Sequence, residues 1–592
     1  MRSLRPLHAA CLAVLLLGLS ATLYKIHFPP GPVADEAAYL MITQSLWHDH
    51  DLTYDHRDLR RSYRIWDQGP YGLILFTDDG GETMYFGKPL AYSAAAVPFY
   101  AVFGPQGLVI LNMALYLAML AIALALVRRE APEGAAVGLW VGGFFFASAG
   151  LVYVFWMQPE VFNMACVFLP LALGWSLRQL PSLGRRHLLA LVAAGALLAA
   201  AFVSKEPLIL LGAPLGIDLL WRRRFRGLAA LALGAALGAG LLIGLQWKLS
   251  DHWSPYRDVQ RRSFEATFPL EVEEDLWSLY KGTSFGSWSG VRPSSTLPVL
   301  ARNAVYFLIG RHTGLLPYFP FGLACLVMFC FAPRNRYRWL VLLSVVAYCG
   351  LLFLLRPGNY HGGAGFIGNR YFASIYPVLL LVAGPLRARR ALWLPFAAAG
   401  LWTASVVAVP VMQIAPEFTL QTHVRSRPFQ ALPLELTLLP SGRIPGYWQR
   451  NWGQGTWVLR RDNFFAQEKH PEGIWVRGDS KTEVVVVSQE PLEALRFKVI
   501  SPLPENVLTL DSGSHRQVIR FDSEAKRQGV PVELPVKPVA RNLGFYPAGP
   551  PDYYYRFTLE TTDGWVPARM APGKSRDMRY LSVFLSFSGD AP

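Results

Sequence analysis

Charged residues are scarce in this chain, and cysteines are few. Only 16% of the 592 residues are Asp, Glu, Lys or Arg, whereas 52% are hydrophobic, and the mean hydropathy is +0.26. This composition argues against a soluble protein and is typical of a chain that crosses a membrane several times. Because all five cysteines lie in apolar runs, the sequence predicts neither a disulfide framework nor a zinc cluster.

Acidic residues are fewer than basic ones, which gives a formal net charge of +15. The placement of the arginines argues against a nucleic-acid partner, because they are concentrated in short loops between apolar runs. These loops lie at residues 128–129, 185–186, 222–226, 334–338 and 387–390. Such loops are typical of the cytoplasmic side of membrane proteins. The sequence therefore predicts membrane lipids, and no nucleic acid, among the partners.

Apolar runs predict about eleven membrane-spanning helices. They cover residues 8–28, 106–127, 135–154, 161–177, 187–203, 207–221, 227–247, 314–332, 338–356, 371–386 and 391–412. The first run follows a basic head, as in a signal peptide, but it is long enough to be an uncleaved span. The run 89–103 is short and contains Pro98, so we expect an interfacial or re-entrant helix there.

The arginine loops also predict the orientation of the chain. If the N-terminus is cytoplasmic, every arginine-rich short loop falls on the cytoplasmic side. The polar segments 29–88 and 248–313, and everything after about residue 413, then lie outside. We therefore predict a multi-pass protein with an extracytoplasmic C-terminal part.

The last part of the chain changes to short alternating runs such as "KTEVVVVS", "LRFKVIS" and "YYYRFTLET", which are separated by turn residues. This pattern predicts an all-β sandwich. The predicted organisation is a membrane domain at 1–412, a proline-containing linker at 413–440 and the β-sandwich domain at 441–592.

Ionisable residues at the outer ends of the predicted spans cost free energy unless they pair with an opposite charge or have a function. They are Asp35, Glu36, Lys88, Glu160, Lys205, Glu206, His361 and Arg370. They come from five separate outer connections, so a helical bundle can bring them together in one cavity with both acids and bases. Such a cavity suits an anionic lipid headgroup, with a carboxylate available as a base.

Several of these residues also have a purely structural interpretation. Asp35 could cap the helix that starts at Glu36. Lys88 and Arg370 could anchor the chain at the headgroups. Lys205 could pair only with the neighbouring Glu206 or with lipid.

Three further features stay open at this point. Glu160, in "MQPEVFN", is a weak candidate because an acid commonly marks the end of a span. The His- and Asp-rich stretch 47–58 is compatible with a metal ion, but its spacing matches no ligand pattern and a solvated loop is preferred. The glycine-rich "HGGAGFIGNRYF" is compatible with phosphate binding because Arg370 and Tyr371 follow at a predicted helix start.

Four stretches together resemble a known superfamily. They are "DEAAYL", "FGKPLAYSAAAVPFYAVFG", "SKEPLILLGAP" and "GGAGFIGNRYFASIYP". In order and topology they resemble the GT-C superfamily of polyprenyl-phosphate-sugar-dependent glycosyltransferases, over roughly residues 8–412. The likeness is greatest to the branch with protein O-mannosyltransferases and the lipid A aminoarabinose transferase. The β domain matches in placement only.

The resemblance implies a membrane enzyme of bacterial envelope glycan synthesis, located in the inner membrane. Its donor would be a polyprenyl-phosphate sugar, and its acceptor a glycan, lipid or protein outside. Asp35 matches the catalytic carboxylate and Glu36 the supporting acid. Lys88 matches a lysine that contacts the donor phosphate, and Lys205 and Arg370 would act likewise. The neighbouring candidates for substrate contacts are Tyr39, Glu206, His361 and Tyr371.

The resemblance is incomplete. Leu90 stands where the family usually has a second proline, and a second catalytic acid in a later loop is not evident, with Asp251, Glu265 and the acids of 271–275 as candidates. Some members use a divalent metal, but nothing in this sequence requires a cofactor. A single carboxylate base without a covalent intermediate predicts inversion at the anomeric carbon.

Two other function classes compete with the enzyme. A transporter or flippase for lipid-linked sugars would use the same buried charges, but the chain has no inverted repeat or matching pair of broken helices. A membrane-anchored glycan-binding protein could stack sugars on "GYWQRNWGQGTW" and "PDYYYRF", although these residues suit a sandwich core and edge equally well.

Overall fold

The computed structural model describes most of the chain. The described residues are 6–22, 32–66, 69–77, 83–130, 134–256, 260–264, 283–284, 296–362, 367–383, 424, 427–439, 448–453, 456–460, 463–465, 468–469, 472–543, 552–571 and 573–586. The predicted span 391–412 and the acids at 265 and 271–275 lie outside them.

The chain divides into two compact units. The first contains Met1–Trp288, Val305–Leu355 and Tyr360–Leu434. The second contains Ser289–Ala304, Arg356–Asn359 and Glu435–Pro592. The second unit therefore takes up two short stretches from the middle of the chain, which the sequence-based division at 412 and 441 did not include.

The chain before residue 435 is mostly helical. Its first helices are α1 (Pro6–Thr22), α2 (Asp35–His48), α3 (His56–Trp66), α4 (Ala91–Phe103), α5 (Gln106–Glu130), α6 (Gly134–Phe146), α7 (Gly150–Val154), α8 (Glu160–Leu177), α9 (Arg185–Ser204), α10 (Ile209–Trp221) and α11 (Phe225–Ser250). Later helices are Thr296–Ile309, Leu315–Tyr318, Pro320–Phe331, Arg336–Leu355, Tyr376–Val382 and Arg427–Gln430, and single 3-10 turns lie at Glu206–Leu208 and Ala373–Ile375.

Among the described residues, five helices are long and apolar enough to cross a membrane. They are Gln106–Arg129, Glu160–Leu177, Arg185–Ser204, Phe225–Ser250 and Arg336–Leu355. Other apolar runs fold differently from the prediction. The run 135–154 is divided into α6 and α7 by residues 147–149, and the run 314–332 is interrupted at Phe319 before Pro320. A helical membrane domain is thus supported, while the number of spans remains a prediction.

Two of these long helices, α9 and α11, approach each other closely at glycines. A Cβ atom at Gly234 would fall on the carbonyl oxygen of Val192, and one at Gly195 would fall on that of Leu231. Backbones can come this near only where a side chain is missing. The lack of a side chain at Gly195 and Gly234 therefore allows the backbones of α9 and α11 to pack this closely.

A small four-stranded sheet joins the polar segments 29–88 and 248–313. Its strands are β1 (Leu73–Thr77), β2 (Tyr85–Phe86), β3 (Gln260–Phe264) and β4 (Thr283–Ser284), in the order β2-β1-β3-β4. Leu73 and Leu75 of β1 belong to one hydrophobic cluster with Ala38 and Met41 of α2. Because α2 packs on this sheet and on α4, residues 35–45 are all buried.

The second unit contains the β-rich C-terminal part of the chain. Its strands are β5 (Trp448–Gly453), β6 (Thr456–Arg460), β7 (Glu468–Lys469), β8 (Glu472–Arg477), β9 (Ser480–Ser488), β10 (Ala494–Ile500), β11 (Val507–Asp511), β12 (Arg516–Arg520), β13 (Val530–Pro535), β14 (Ala540–Arg541), β15 (Tyr553–Thr561) and β16 (Leu581–Ser586). Short helices lie at Glu524–Gln528 and Pro567–Met570.

These strands form two antiparallel sheets. One has the order β13-β10-β16-β8-β7, and the other has β12-β11-β15-β9-β6-β5, with β14 paired to β15. The alternate residues of β10 and β15 are buried, and Phe497 of the first sheet stacks on Phe557 of the second at a centroid distance of 6.2 Å. Both sheets contribute to one hydrophobic cluster. The unit is therefore built as the sandwich that the alternating pattern predicts.

The close contact of α9 and α11 makes a prediction about stability. Gly234→Leu should lower the free energy of unfolding by about 1–3 kcal/mol, because the new side chain must push the two backbones apart. The matched control is Gly244→Leu on the same helix, where a Cβ atom would meet nothing within 4 Å. The melting temperatures of both purified variants are measured in detergent, and Gly234→Leu should melt lower than Gly244→Leu. Equal melting temperatures would contradict the close contact of the two helices.

Candidate active site

Asp35 lies between two cations in the first unit. Its Oδ1 is 2.7 Å from Nζ of Lys88, and its Oδ2 accepts a hydrogen bond from Nη1 of Arg370 at 2.5 Å. The side chains of the three residues expose only 8% to 12% of their surface. Both oxygens of this carboxylate are thus engaged by charged donors.

Glu160 forms a second acid–base contact beside the first. Its Oε1 accepts a hydrogen bond from Nζ of Lys205 at 3.0 Å and lies 3.7 Å from Nε of Arg370, an ion-pair distance. Its Oε2 is buried and has no hydrogen-bond partner in the part of the chain that the structure describes. Arg370 is therefore shared by Asp35 and Glu160, and the five side chains form one continuous cluster.

The turn between α7 and α8 connects this cluster to Glu36. Oε1 of Glu36 accepts a hydrogen bond from the backbone N–H of Met157 at 3.0 Å, and Oε1 of Gln158 accepts one from Nη1 of Arg370 at 3.3 Å. Glu160 follows at the first position of α8. Three residues of one short turn thus hold side chains from the start of α2 and from the segment before Tyr376–Val382.

The entry to α2 explains the position of Asp35. The residue before it, Ala34, has φ 51°, which is unusual for a residue with a side chain, and its N–H donates to the carbonyl of Tyr71 at 2.7 Å. No side-chain hydrogen bond caps α2. The capping interpretation of Asp35 is therefore wrong, since helix α2 begins at Asp35 and its carboxylate faces Lys88 and Arg370.

Backbone contacts fix the two cations in the same way. Lys88 follows Gly87, whose N–H donates to the carbonyl of Ile74 on β1 at 2.8 Å, and a Cβ atom at Gly87 would lie 2.9 Å from the Ile74 side chain. The N–H of Arg370 donates to the carbonyl of His361 at 2.9 Å. Backbone contacts with His361 and, through Gly87, with Ile74 therefore help to position the two cations beside Asp35.

The electrostatics of the cluster follow from burial and pairing. Burial by itself would raise the pKa of Asp35, but the charges of Lys88 and Arg370 outweigh it and hold the pKa well below its usual range. Burial would lower the pKa of Arg370, and the Asp35 and Glu160 carboxylates reverse this shift, so that it is raised. Burial lowers the pKa of Lys88, with Asp35 opposing. Asp35 is thus held firmly in its ionised form.

The other sequence-predicted residues lie at various distances from this cluster. The ring of Tyr371 lies beneath the ammonium of Lys205, with Nζ 5.3 Å from the centroid, and beneath the Arg370 guanidinium at 5.5 Å. The backbone of His361 contacts Arg370, as described above. Tyr39 packs edge-on against Tyr92 at 5.6 Å. Glu206 does not take Lys205 as its ion-pair partner, because Lys205 pairs with Glu160.

Gln158 and the importance of Glu160 were missed from the sequence. The sequence makes Glu160 a weak candidate, because an acid at such a place more often marks the end of a span than a site. The available signal was its place in "MQPE", where an acid precedes a long apolar run on the predicted outer face. Asp251, a candidate for a second catalytic acid, instead follows α11 in a left-handed conformation. Glu160 is the second buried carboxylate of the cluster.

The His- and Asp-rich stretch 47–58 forms an ion-pair network. Arg57 pairs with Asp51 at 3.2 Å and Asp55 at 2.7 Å, and Arg61 pairs with Asp49 and with Asp58. The carboxylates therefore have arginine partners. Within the described ranges, no group of three or more His, Cys, Asp and Glu residues is arranged to hold a metal ion.

Comparison with known proteins gives similarities to solved structures alone, since no family model and no curated protein matches the chain. The chain is similar to ArnT from Cupriavidus metallidurans in the apo state (18% identity, 68% of this chain, 64% of that chain, TM-score 0.38). The structure of ArnT bound to undecaprenyl phosphate gives 16% identity, the same coverage and a TM-score of 0.38.

An oligosaccharyltransferase from Archaeoglobus fulgidus in the apo form is also similar (12% identity, 69% of this chain, 57% of that chain, TM-score 0.35). The chain covers less than two thirds of the length of each of these proteins.

The contact between Glu160 and Lys205 makes a quantitative prediction. In a double-mutant cycle with Glu160→Gln and Lys205→Met, the two substitutions should be coupled by about 0.5–3 kcal/mol, because the buried Glu160 carboxylate and the partly buried Lys205 ammonium stabilise each other. The free energy of unfolding in detergent is the measured quantity. Glu160→Gln with Lys248→Met, on α11, is the matched control and should be additive. Additivity in the first cycle as well would show that the ion pair does not form.

Proposed function

We propose that this chain is an integral membrane glycosyltransferase of the bacterial inner membrane. It moves a sugar from a polyprenyl-phosphate donor to an acceptor on the extracytoplasmic side. The observation that carries the proposal is the buried cluster in which Asp35 and Glu160 are held among Lys88, Lys205 and Arg370. A buried network of alternating acids and bases beside apolar helices is costly to maintain, and a phosphate-handling site gives it a use.

The three cations supply the donor phosphate site. Lys88 and Lys205 each present an ammonium, and Arg370 presents a guanidinium that can contact phosphate through more than one N–H. The cations are already fixed before donor binds, by Asp35 on one side and Glu160 on the other. Such preorganised charges stabilise the negative charge that develops on a leaving phosphate.

Asp35 acts as the general base. The acceptor hydroxyl oxygen forms a bond to the anomeric carbon of the sugar, while the bond from that carbon to the phosphate oxygen breaks. The hydroxyl proton passes to Asp35, and polyprenyl phosphate leaves with its charge facing Lys88 and Arg370. A single displacement of this kind inverts the configuration at the anomeric carbon.

The low pKa of Asp35 in the ion-paired state then becomes part of the mechanism. A carboxylate that is held by two cations is a weak base. The donor phosphate competes for Lys88 and Arg370, so its binding weakens their hold on Asp35 and raises the pKa of the carboxyl group towards its ordinary value. Donor binding therefore activates the base, which favours binding of donor before transfer to acceptor.

The neighbouring residues have supporting roles in the proposal. Glu36 holds the turn that carries Glu160 through its hydrogen bond with Met157. The Oε2 of Glu160 has no hydrogen-bond partner among the described residues, and a buried carboxylate oxygen without a donor costs free energy. In the proposal it accepts a hydrogen bond from a sugar hydroxyl. Tyr39, Glu206, His361 and Tyr371 are the further candidates for contacts to the donor sugar or the acceptor.

The role of Asp35 is tested by Asp35→Asn, which keeps the shape and removes the base. Transfer should fall by about 10²–10⁴-fold, the usual contribution of a general base. Binding of undecaprenyl phosphate, used as a probe of the donor class, should be retained or tightened because Asp35 no longer competes for the cations. Mass analysis of envelope glycans and lipids, with and without the gene, identifies the product and measures its loss.

The control for Asp35→Asn is Asp55→Asn, an aspartate whose partner is Arg57. The control should leave transfer unchanged. Retained binding of undecaprenyl phosphate by Asp35→Asn shows that the variant is folded. Full glycan output from that folded variant would contradict the assignment of Asp35 as the base.

The phosphate site is tested by Lys88→Met. Loss of one preorganised cation should lower the transfer rate by about 10²–10³-fold and weaken the binding of undecaprenyl phosphate. Lys248→Met removes the same charge outside the cluster and should change neither. Unaltered binding of undecaprenyl phosphate by folded Lys88→Met would remove Lys88 from the donor site.

A further inference from the structure

The second unit carries a closed loop between β15 and β16. We call the described residues 566–571 and 573–580 the cationic loop. At its base Trp565 and Leu581 exchange backbone hydrogen bonds of 2.7 and 2.8 Å, and higher up the N–H of Ala568 donates to the carbonyl of Asp577 at 2.9 Å. The two arms of the loop are thus held together by backbone contacts.

The cationic loop exposes large apolar side chains. Met570 and Met578 are each 68% exposed, and Tyr580 is 37% exposed. In the described part of the chain after residue 447, the other large apolar side chains that are exposed are Val518 and Val539, at 50% and 44%. The two methionines are therefore the most exposed apolar groups of this β-rich region, and they lie on the same loop.

Positive charge surrounds these apolar side chains. Arg569, Lys574 and Arg576 are all exposed, and none of them forms an ion pair with a described carboxylate. Asp577 in the loop forms an ion pair with Arg579, whose Nη2 donates a hydrogen bond to Oδ2 of Asp577 at 2.7 Å. The loop therefore presents three cations without a described acidic partner, together with two exposed methionines.

We propose that the cationic loop docks on the anionic phospholipid headgroups of the membrane that the chain's own helices cross. Apolar side chains ringed by Lys and Arg suit the boundary between headgroups and acyl chains, where the apolar groups enter and the cations meet phosphates. Exposed methionines adapt to an irregular surface because their side chains are flexible.

Covalent attachment makes a modest docking surface sufficient. The second unit belongs to the same chain as the long apolar helices, so the effective concentration of the loop at the bilayer is high even if its intrinsic affinity is low. An acidic protein would be attracted by the same charges, but it would not require the lipid dependence that this proposal predicts. The proposed partner of the loop is therefore a lipid surface with negative charge.

The proposal is tested by hydrogen–deuterium exchange on the full chain in lipid nanodiscs. One preparation contains phosphatidylcholine alone, and the other contains phosphatidylcholine with phosphatidylglycerol. Amides of the cationic loop should exchange several-fold more slowly in the phosphatidylglycerol nanodiscs, and added salt should reduce the difference because it screens the charges. Exchange is measured without any sugar transfer, so the outcome is independent of the proposed enzyme activity.

Two sets of variants separate the contributions. Arg569→Gln, Lys574→Gln and Arg576→Gln together should abolish the lipid-dependent protection, and Met570→Ser with Met578→Ser should weaken it. The matched control is Arg516→Gln with Arg520→Gln on β12, where exposed arginines flank the exposed Val518. This control should leave the protection of the cationic loop unchanged.

Three outcomes would overturn the proposal. Equal exchange in the two lipid compositions would show that the loop does not respond to anionic headgroups. Protection that persists in the triple glutamine variant, with a melting temperature like that of the parent, would assign it to a contact within the protein. Loss of protection in the β12 control alone would place the lipid contact on that strand instead.

Discussion

The ion pairs of Asp35 with Lys88 and Arg370 constrain the arrangement of the first unit. The three residues come from the start of α2, from the turn after β2 and from the segment before Tyr376–Val382. Breaking a buried ion pair leaves an uncompensated charge, which costs several kcal/mol by comparison with other proteins, roughly 3–5 kcal/mol. Each segment is therefore held to a narrow range of positions. Ala34, which precedes Asp35, has a positive φ of 51°.

The same constraint connects the structure with the proposed chemistry. A base is useful only if its pKa is near the working pH, whereas the two cations hold Asp35 well below its usual range. In the proposed mechanism, a donor phosphate that competes for Lys88 and Arg370 resolves this conflict, because the two cations that lower the pKa of Asp35 would also bind the donor. The carboxylate would then stay ionised and paired until the donor binds.

The sequence was a good guide wherever a single residue violated the chemistry of its surroundings. The costly charge at the edge of apolar runs singles out Asp35, Lys88 and Arg370, and the structure brings their side chains together. The outer face to which the arginine loops assign them stays a prediction. Glu160 was given little weight because its position is not unusual for an acid. An acid at the first position of a helix is common, and its partner Lys205 lies 45 residues further along the chain.

The parts that could not be predicted depend on contacts between distant segments. Strands β1 and β3 pair Leu75 with Arg262, and neither short strand has an alternating pattern that distinguishes it from a polar loop. The division of the run 135–154 into α6 and α7 could not be predicted from hydropathy either, since both helices are apolar. By contrast, the sandwich was predictable because alternate residues of its strands face one core.

The charges of the cluster also bear on the type of phosphate that it can hold. Among the five side chains of the cluster, Lys88, Lys205 and Arg370 face the carboxylates of Asp35 and Glu160, so these five groups carry one net positive charge. A sugar linked through one phosphate is a phosphodiester with a single negative charge, and in the proposed mechanism its binding would neutralise this excess. A diphosphate linkage would bring a second negative charge that these three cations do not balance. We therefore expect the cluster to prefer a monophosphate-linked sugar to a diphosphate-linked one.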